Sequence, residues 1–206
     1  MRKEHMKMSA DFDNIFREFH PKIMHYVSRL AGNHDAEDIT QEVFEKVSQN
    51  LEGFRGESQL STWLYRIATN TALDRIKSRQ FSRRDKETVL EERSNVEDKN
   101  LWTGQKKRPV DHELIKKEMS DCVKEFVHML PADYRSVILL SELEGFKNRE
   151  IADILHISLD AVKIRLHRAR ARLKELLDQG CDFYHDEQSI LACDRKPPII
   201  KIKKAD

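Results

Sequence analysis

The chain has 206 residues, with 37 Lys and Arg against 36 Asp and Glu, for a formal net charge of +1. That length allows one large domain or two of about 70–100 residues, and a composition of 39% hydrophobic and 35% charged residues favours small helical units with much exposed surface. Six Gly and five Pro argue against a turn-rich β-sandwich or barrel, and the near-zero net charge excludes a uniformly basic, histone-like binder. Three Cys (Cys122, Cys181, Cys193) make no secreted disulfide framework and fit a reducing cytoplasm. No apolar run follows the charges at the start, so no signal peptide is expected. No stretch approaches the roughly 18 consecutive apolar residues of a membrane span.

In chain order, Phe12, Ile15, Phe16, Phe19, Ile23, Met24, Val27 and Leu30 follow helical spacing over 11–31. Pro21 should kink or split that helix. Gly32-Asn33 is a stop, after which Asp35 can cap a second helix over 35–49. Residues 51–56 read as a loop. Ser58 or Ser61 can cap a third helix ending near Arg79, with Trp63, Leu64, Ile67, Ala68, Ala72, Leu73 and Ile76 as its apolar set. From 83 to 111 periodicity is lost and charges of both signs dominate, which predicts a linker and a domain boundary. The second apolar block, 112–178, predicts helices ending at Leu130, over 131–143, 148–155 and 159–177. Strand-like alternation is persuasive only in Ile199–Ile202. The expectation is an all-α protein: a helical domain over 8–82, a linker over 83–111, a second helical domain over 112–178 and an extension over 179–206.

Residues 148–170 carry the pattern of a helix-turn-helix. Ile151, Ala152 and Leu155 face inward, Ile157 plugs the turn, Ser158 caps the second helix, and Val162 and Leu166 bury its inner side. The outer side carries Lys163, Arg165, His167, Arg168, Arg170, Arg172 and Lys174, long cations that reach phosphates or guanine edges.

The first block shows two opposed surfaces. Its second helix has an acidic face (Asp35, Glu37, Asp38, Glu42, Glu45) interleaved with Gln41 and one exposed aromatic, Phe44, a pattern suited to a basic protein partner. Its third helix carries Arg66, Arg75, Lys77, Arg79, Arg83, Arg84 and Lys86, with Trp63 and Tyr65 near its start and Phe54-Arg55 in the loop before it. Aromatics among cations suit single-stranded DNA, because bases stack on rings while cations hold phosphates. Core packing of Trp63 is the alternative.

Three stretches together resemble a family. They are Asp35–Phe44, Phe54–Asp74, and Leu130–Leu140 running into the helix-turn-helix. The chain is similar to bacterial RNA polymerase sigma factors of the extracytoplasmic-function (ECF) group, in the sigma-70 family. The resemblance implies a transcription initiation factor without catalytic chemistry. It implies that Asp38, Gln41, Glu42 and Phe44 dock on the clamp coiled coil of the polymerase β′ subunit. It implies that Phe54, Arg55, Ser58, Trp63, Arg66, Asn70, Arg75, Lys77 and Arg79 open and read the -10 promoter element. Lys163, Ile164, His167 and Arg168 match positions that approach the -35 element. Ser158, which caps that helix, belongs to the same -35-binding set, and Arg165, Arg170 and Arg172 are candidates for its phosphates. Ile164 stands where similar proteins often carry a small polar residue; contact with a thymine methyl and a simple change in which bases are preferred are the open alternatives. An anti-sigma factor that masks the polymerase-binding faces is the implied control, with regulation by the chain's own extension as the alternative.

The extension lies outside the family pattern. Cys181, His185 and Cys193 are candidate ligands for zinc or a similar metal. A Cys181–Cys193 disulfide switch and simple packing remain open alternatives, and Cys122 reads as core. No cofactor is required by the other motifs. Two rival functions remain open: a helix-turn-helix regulator acting without polymerase, and a resolvase-like enzyme using Ser58, Ser61 or Tyr65 near Arg55 and Arg66. The second lacks a separate catalytic fold ahead of the motif.

Overall fold

The computed structural model describes residues 2–87, 122–185 and 191–196. Helix α1 (Arg2–Ala31) is uninterrupted at Pro21. A kink or a split at Pro21 was the expectation; the helix does not split, because this residue is exposed and solvent can take the Arg17 carbonyl that loses its partner. Helix α2 (Asn33–Asn50) starts two residues before Asp35, the expected cap, and its cap position is Gly32 with φ 96°. Asp35 is therefore in the first turn, where it complements the helix dipole. A short 3-10 turn (Leu51–Gly53) leads into the loop, and α3 (Leu60–Glu87) starts between the two candidate Ser caps and runs beyond Arg79 to Glu87. The remainder of the expected linker lies outside the described residues.

These three helices share one core. Ile23, Val27 and Leu30 of α1, Ile39, Val43 and Val47 of α2, and Leu64, Ala68 and Ala72 of α3 are fully or almost fully buried. The spacing of each set keeps one face of its helix inward, and burial of each large aliphatic contributes about 1.5–3 kcal/mol. Tyr26 is also fully buried, and its hydroxyl is 2.9 Å from Thr69 Oγ1. Burial pushes its phenol well above the usual range, so the hydroxyl stays protonated and available for that bond.

The second unit begins in the described residues with α4 (residues 122–129) and continues into α5 (Ala132–Ile138). At Leu139–Leu143 the helix opens into one π-helical turn, then ends at Gly145 with φ 73°. Helices α6 (Asn148–Leu155) and α7 (Leu159–Gly180) come next. Leu130, Val137, Leu139, Leu140, Ile151, Ile154, Val162, Leu166 and Ala169 form the buried interior. Ile154, rather than Leu155, is the fully buried member of its turn; Leu155 and Ala152 are half-buried against the core.

After α7 the chain forms an antiparallel hairpin, β1 (Cys181–His185) with β2 (Leu191–Arg195). Sequence alternation did not predict it, because Cys181-Asp-Phe-Tyr-His mixes polar and apolar residues without period. Ile199–Ile202, the expected strand, lies outside the described residues. No described helix is long and apolar enough to cross a membrane.

Candidate nucleic-acid interface

The helix-turn-helix is set by local chemistry at both ends of its turn. The Glu150 carboxylate accepts the Lys147 N–H at 2.7 Å, so the start of α6 is capped from within. Helix α6 stops at His156, which adopts the left-handed conformation (φ 51°), and the Ile157 N–H closes on Ala152 O at 3.1 Å. Ser158 then caps α7 as expected, its Oγ accepting the Ala161 N–H at 3.1 Å. With Val162, Leu166 and Ala169 buried, the other side of α7 is turned to solvent.

That outer side holds Lys163, Ile164, His167 and Arg168, all exposed, with Arg165 half-buried beside them. Ile164 is 51% exposed, an apolar side chain standing among cations. Lys163 pairs with Asp160 at 3.1 Å, Arg172 with Glu175 at 2.9 Å, and Arg170 reaches Glu142 of the π-helical turn at 2.6 Å. The Arg170 hydrogen bond holds the Glu142 carboxyl below the usual carboxylate range. Among the described residues, Arg165, His167 and Arg168 make no ion pair. Asn148, Lys163, His167, Arg170 and Lys174 surround a groove of 420 Å³ between α6 and α7.

The N-terminal cations are placed differently. In the loop, Phe54 packs its ring on Trp63 at 5.1 Å, and Gly56 turns the chain with φ 74°. Trp63 is half-buried against the core, while Arg55 is exposed and Ser58 half-buried. Asn70 and Lys77 are placed with them along α3, both exposed. Arg66 is half-buried, and its Nε has no hydrogen-bond partner among the described residues. Arg75 donates to Glu42 at 3.1 Å, and Arg79 forms a very short ion pair with Asp35. The acidic and basic faces read as separate surfaces are therefore joined at these two points.

Two expectations on α2 need correction. Asp35 is only 3% exposed and belongs to the pair with Arg79, not to an open acidic face. Phe44 is not an exposed anchor: it is 4% exposed, with Phe16 edge-on at 4.8 Å. Its position faces the groove between α1 and α2, so Phe16, 40% exposed, supplies the outward ring. Phe12, Phe16, His20 and Phe44 line a cleft of 440 Å³ with Gln41 and Glu45 on its lip. Asp38 and Gln41 remain exposed, and Gln41 donates to Glu45 at 3.1 Å. Glu42 sits between Lys46 (2.9 Å) and Arg75, and the Lys46 hydrogen bond leads in holding its carboxyl below the usual range.

The two helical units touch through contacts that no motif announced. Tyr65 is almost fully buried and donates to Glu144 at 2.5 Å, with its ring edge-on to Phe146 at 4.8 Å. Burial and the facing carboxylate together push the Tyr65 phenol well above its usual range. Arg135 donates to the carbonyl of Leu30 at 2.6 Å and also to those of His128 and Leu130. Its guanidinium thus fastens the ends of α1 and α4 together. The available signal was Tyr65 itself, an apolar ring at a core spacing with a hydroxyl that needed a partner.

The candidate metal ligands also rearrange. Cys122, Cys181 and Cys193 come together, with their sulfurs all within 4.8 Å of one another, and this group could hold a metal ion. His185 does not join them: it is exposed at the far end of β1, paired with Leu191. Cys122 replaces it because α4 packs under the hairpin, a long-range contact that spacing along the chain cannot reveal. All three thiols are free, and burial pushes the Cys181 thiol up to about 12.

A helix-turn-helix behind a three-helix unit with an acidic lip and an aromatic loop defines a class: helical DNA-binding factors of two units. Residues 15–82 match Sigma-70 region 2, and residues 120–173 match Sigma-70, region 4. The chain is 34% identical to the ECF RNA polymerase sigma-E factor of Haemophilus influenzae, over 79% of this chain and 85% of that protein. It is 35% identical to the ECF RNA polymerase sigma factor SigW of Bacillus subtilis, over 82% of this chain and 88% of that one. Among solved structures it is similar to the sigma factor RpoE of Bartonella quintana, crystallised with the anti-sigma factor NepR, at 25% identity. That likeness has a TM-score of 0.61 and covers 82% of this chain and 97% of that one.

The chain belongs to the ECF sigma factors of the sigma-70 family, non-enzymatic proteins that direct promoter-specific transcription initiation with RNA polymerase. The resolvase-like and polymerase-independent readings fall away with that membership.

Proposed function

We propose that the chain divides initiation between three surfaces. Asp38, Gln41, Glu42 and Phe44 of α2 dock on the clamp coiled coil of the polymerase β′ subunit. Phe54, Arg55, Ser58 and Trp63 of the loop and helix start, with Arg66, Asn70, Arg75, Lys77 and Arg79 along α3, open and read the -10 element. An unstacked base costs a few kcal/mol to extract, and stacking against the Phe54–Trp63 ring pair offsets part of that. Lys163, Ile164, His167 and Arg168 approach the bases of the -35 element, while Arg165, Arg170 and Arg172 hold phosphates. These roles require no cofactor and belong in the cytoplasm, with polymerase and DNA.

The observation that carries this reading is the outer face of α7. A capped helix in a helix-turn-helix presents exposed cations around an exposed Ile164. An apolar side chain left in solvent beside cations suits a groove that offers both acceptors and a thymine methyl. An anti-sigma factor is the proposed partner that holds the protein inactive, supported by the Bartonella complex.

The test is reconstituted transcription from genomic DNA with core polymerase, mapping start sites. The purified chain should bind core and produce starts sharing two promoter elements. Lys163→Ala and Arg168→Ala should each lower initiation about 5- to 100-fold, from about 1–3 kcal/mol per base contact, with core binding unchanged. Absence of core binding, or variants that initiate like the wild type, would overturn the assignment.

A further inference from the structure

The hairpin is docked on the second unit by its own contacts. Gly180, at the end of α7, lies against Phe126, where a Cβ would come within 2.2 Å of the ring. Only glycine lets the helix end come this close. Arg195 of β2 pairs with Glu125 at 2.7 Å, and Lys196 reaches the carbonyl of Asp178 at 2.6 Å and the carboxylate of Asp182 at 3.1 Å. The Lys196 N–H also closes on Gly180 O at 2.8 Å. The hairpin is thereby tied to both α4 and α7.

That docking brings together thiols from three segments. Cys122 comes from α4, Cys181 from the first residue of β1 and Cys193 from β2. In the strand register Cys181 faces Arg195 and Cys193 faces Phe183, so the two cysteines are diagonal neighbours on one side of the hairpin. Cys122 meets them from beneath, its sulfur 3.4 Å from that of Cys181. Cys181 is 3% exposed and the other two are half-buried.

We propose that Cys122, Cys181 and Cys193 form a three-thiolate site for a soft metal ion, with Zn(II) as the occupant. Zinc–sulfur bonds of about 2.3 Å in a tetrahedron set sulfurs about 3.8 Å apart. The sulfur separations here, 3.4 Å for one pair and within 4.8 Å for all, need only small shifts to reach that spacing. Three thiolates select Zn(II) or Cu(I) over hard cations. Charge decides between these two. Zn(II) leaves a net single negative charge in a half-buried site and Cu(I) leaves two, and uncompensated buried charge is costly. The fourth zinc position is left for water or an added ligand. A disulfide would use two of the three sulfurs and leave the third idle, whereas a metal uses all three.

Occupation would tie α4 to the hairpin across 59 residues of chain, Cys122 to Cys181. Helix α4 supplies Val123, Val127 and His128 to a cleft of 550 Å³ that also includes Arg170 and Leu173 of α7. The metal would therefore brace the helix that backs the DNA-facing one.

The experiment uses the full chain, reduced and freed of metal, then titrated separately with Zn(II), Cu(I) and, as a spectroscopic probe, Co(II). Co(II) should give a thiolate charge-transfer band at one ion per chain, and Zn(II) should displace it. Zn(II) should protect all three cysteines from alkylation in the unmutated protein, read by mass spectrometry. Cys122→Ser and Cys193→Ser, checked for helix content by circular dichroism, should each weaken binding at least 100-fold, and His185→Ala should leave it unchanged. No charge-transfer band, alkylation of Cys122 with Zn(II) bound, or loss of binding in His185→Ala would each overturn the site. Tighter binding of Cu(I) at the same three sulfurs would overturn zinc as the occupant.

Discussion

Helices α3 and α7 both carry cations on an amphipathic frame, yet the fold treats them in opposite ways. Helix α7 buries one face and leaves Lys163, Ile164, His167 and Arg168 open. Helix α3 is covered twice: Leu64, Ala68 and Ala72 sit in its own core, and Tyr65 packs against Glu144 and Phe146 of the second unit. Its Arg75 and Arg79 are spent on acids of α2. A cationic stripe in sequence is therefore not a cationic surface in space. What separates the two helices is where their carboxylate partners sit: Arg79 of α3 is held by the buried Asp35, whereas the acids that pair with Lys163, Arg170 and Arg172 of α7 are exposed, and Arg165, His167 and Arg168 make no ion pair among the described residues.

The largest effect should come from Arg79. Arg79→Met leaves the buried Asp35 carboxylate short of its charged partner and should destabilise the N-terminal unit by about 1–3 kcal/mol. The same change at Arg172, paired at the surface with Glu175, should cost about 0–1 kcal/mol. Chemical denaturation of both variants checks this, and equal losses would mean that burial of Asp35 does not matter. A smaller effect should come from Tyr65→Phe, which keeps the ring and deletes the donor to Glu144. Contact between the units should weaken by about 1–2 kcal/mol, with a larger radius of gyration by small-angle scattering and unchanged helix content. An unaltered radius would show that the aromatic contact with Phe146 suffices.

The smallest effect is in pH. Glu42 and Glu142 have carboxyls held below the ordinary range, led by Lys46 and by Arg170 respectively. A depressed carboxyl contributes stability that is present above its unfolded value, about 4.3, and lost as pH falls through the lower folded value. Glu42→Gln and Glu142→Gln should each lie slightly below the wild type in thermal midpoint at pH 6, and the gap should close near pH 3. Both carboxylates are more than a third exposed, so solvent screening keeps these gaps small. A gap that stays constant with pH would remove the ion pairs as its cause.

Local order was legible in the sequence wherever a short-range rule governed it. The helix-turn-helix, the Ser158 cap and the inward Val162 and Leu166 all depend on residues within one or two turns. The failures share a different cause. Cys122 read as ordinary core because its partners lie 59 and more residues away. Phe44 read as exposed because the neighbouring ring belongs to α1. The hairpin was missed because its strands are held by docking on α4 and α7, not by alternation. Tyr65 hinted at a buried hydroxyl, but its acceptor comes from the other unit.

The π-helical turn at Leu139–Leu143 fits one extra residue into a helix, and the two acids at its end point in different directions. Glu142 reaches Arg170 on the DNA-facing helix, and Glu144, one residue past the turn, reaches Tyr65 on α3. Removing a single residue there would restore α-helical winding and rotate the downstream chain by about 100°. Both acids would lose their partners at once, with both carboxylates, Arg170 and Tyr65 still present. The joint between the two helical units is therefore held by chain length as much as by chemistry, and it should tolerate substitution better than deletion.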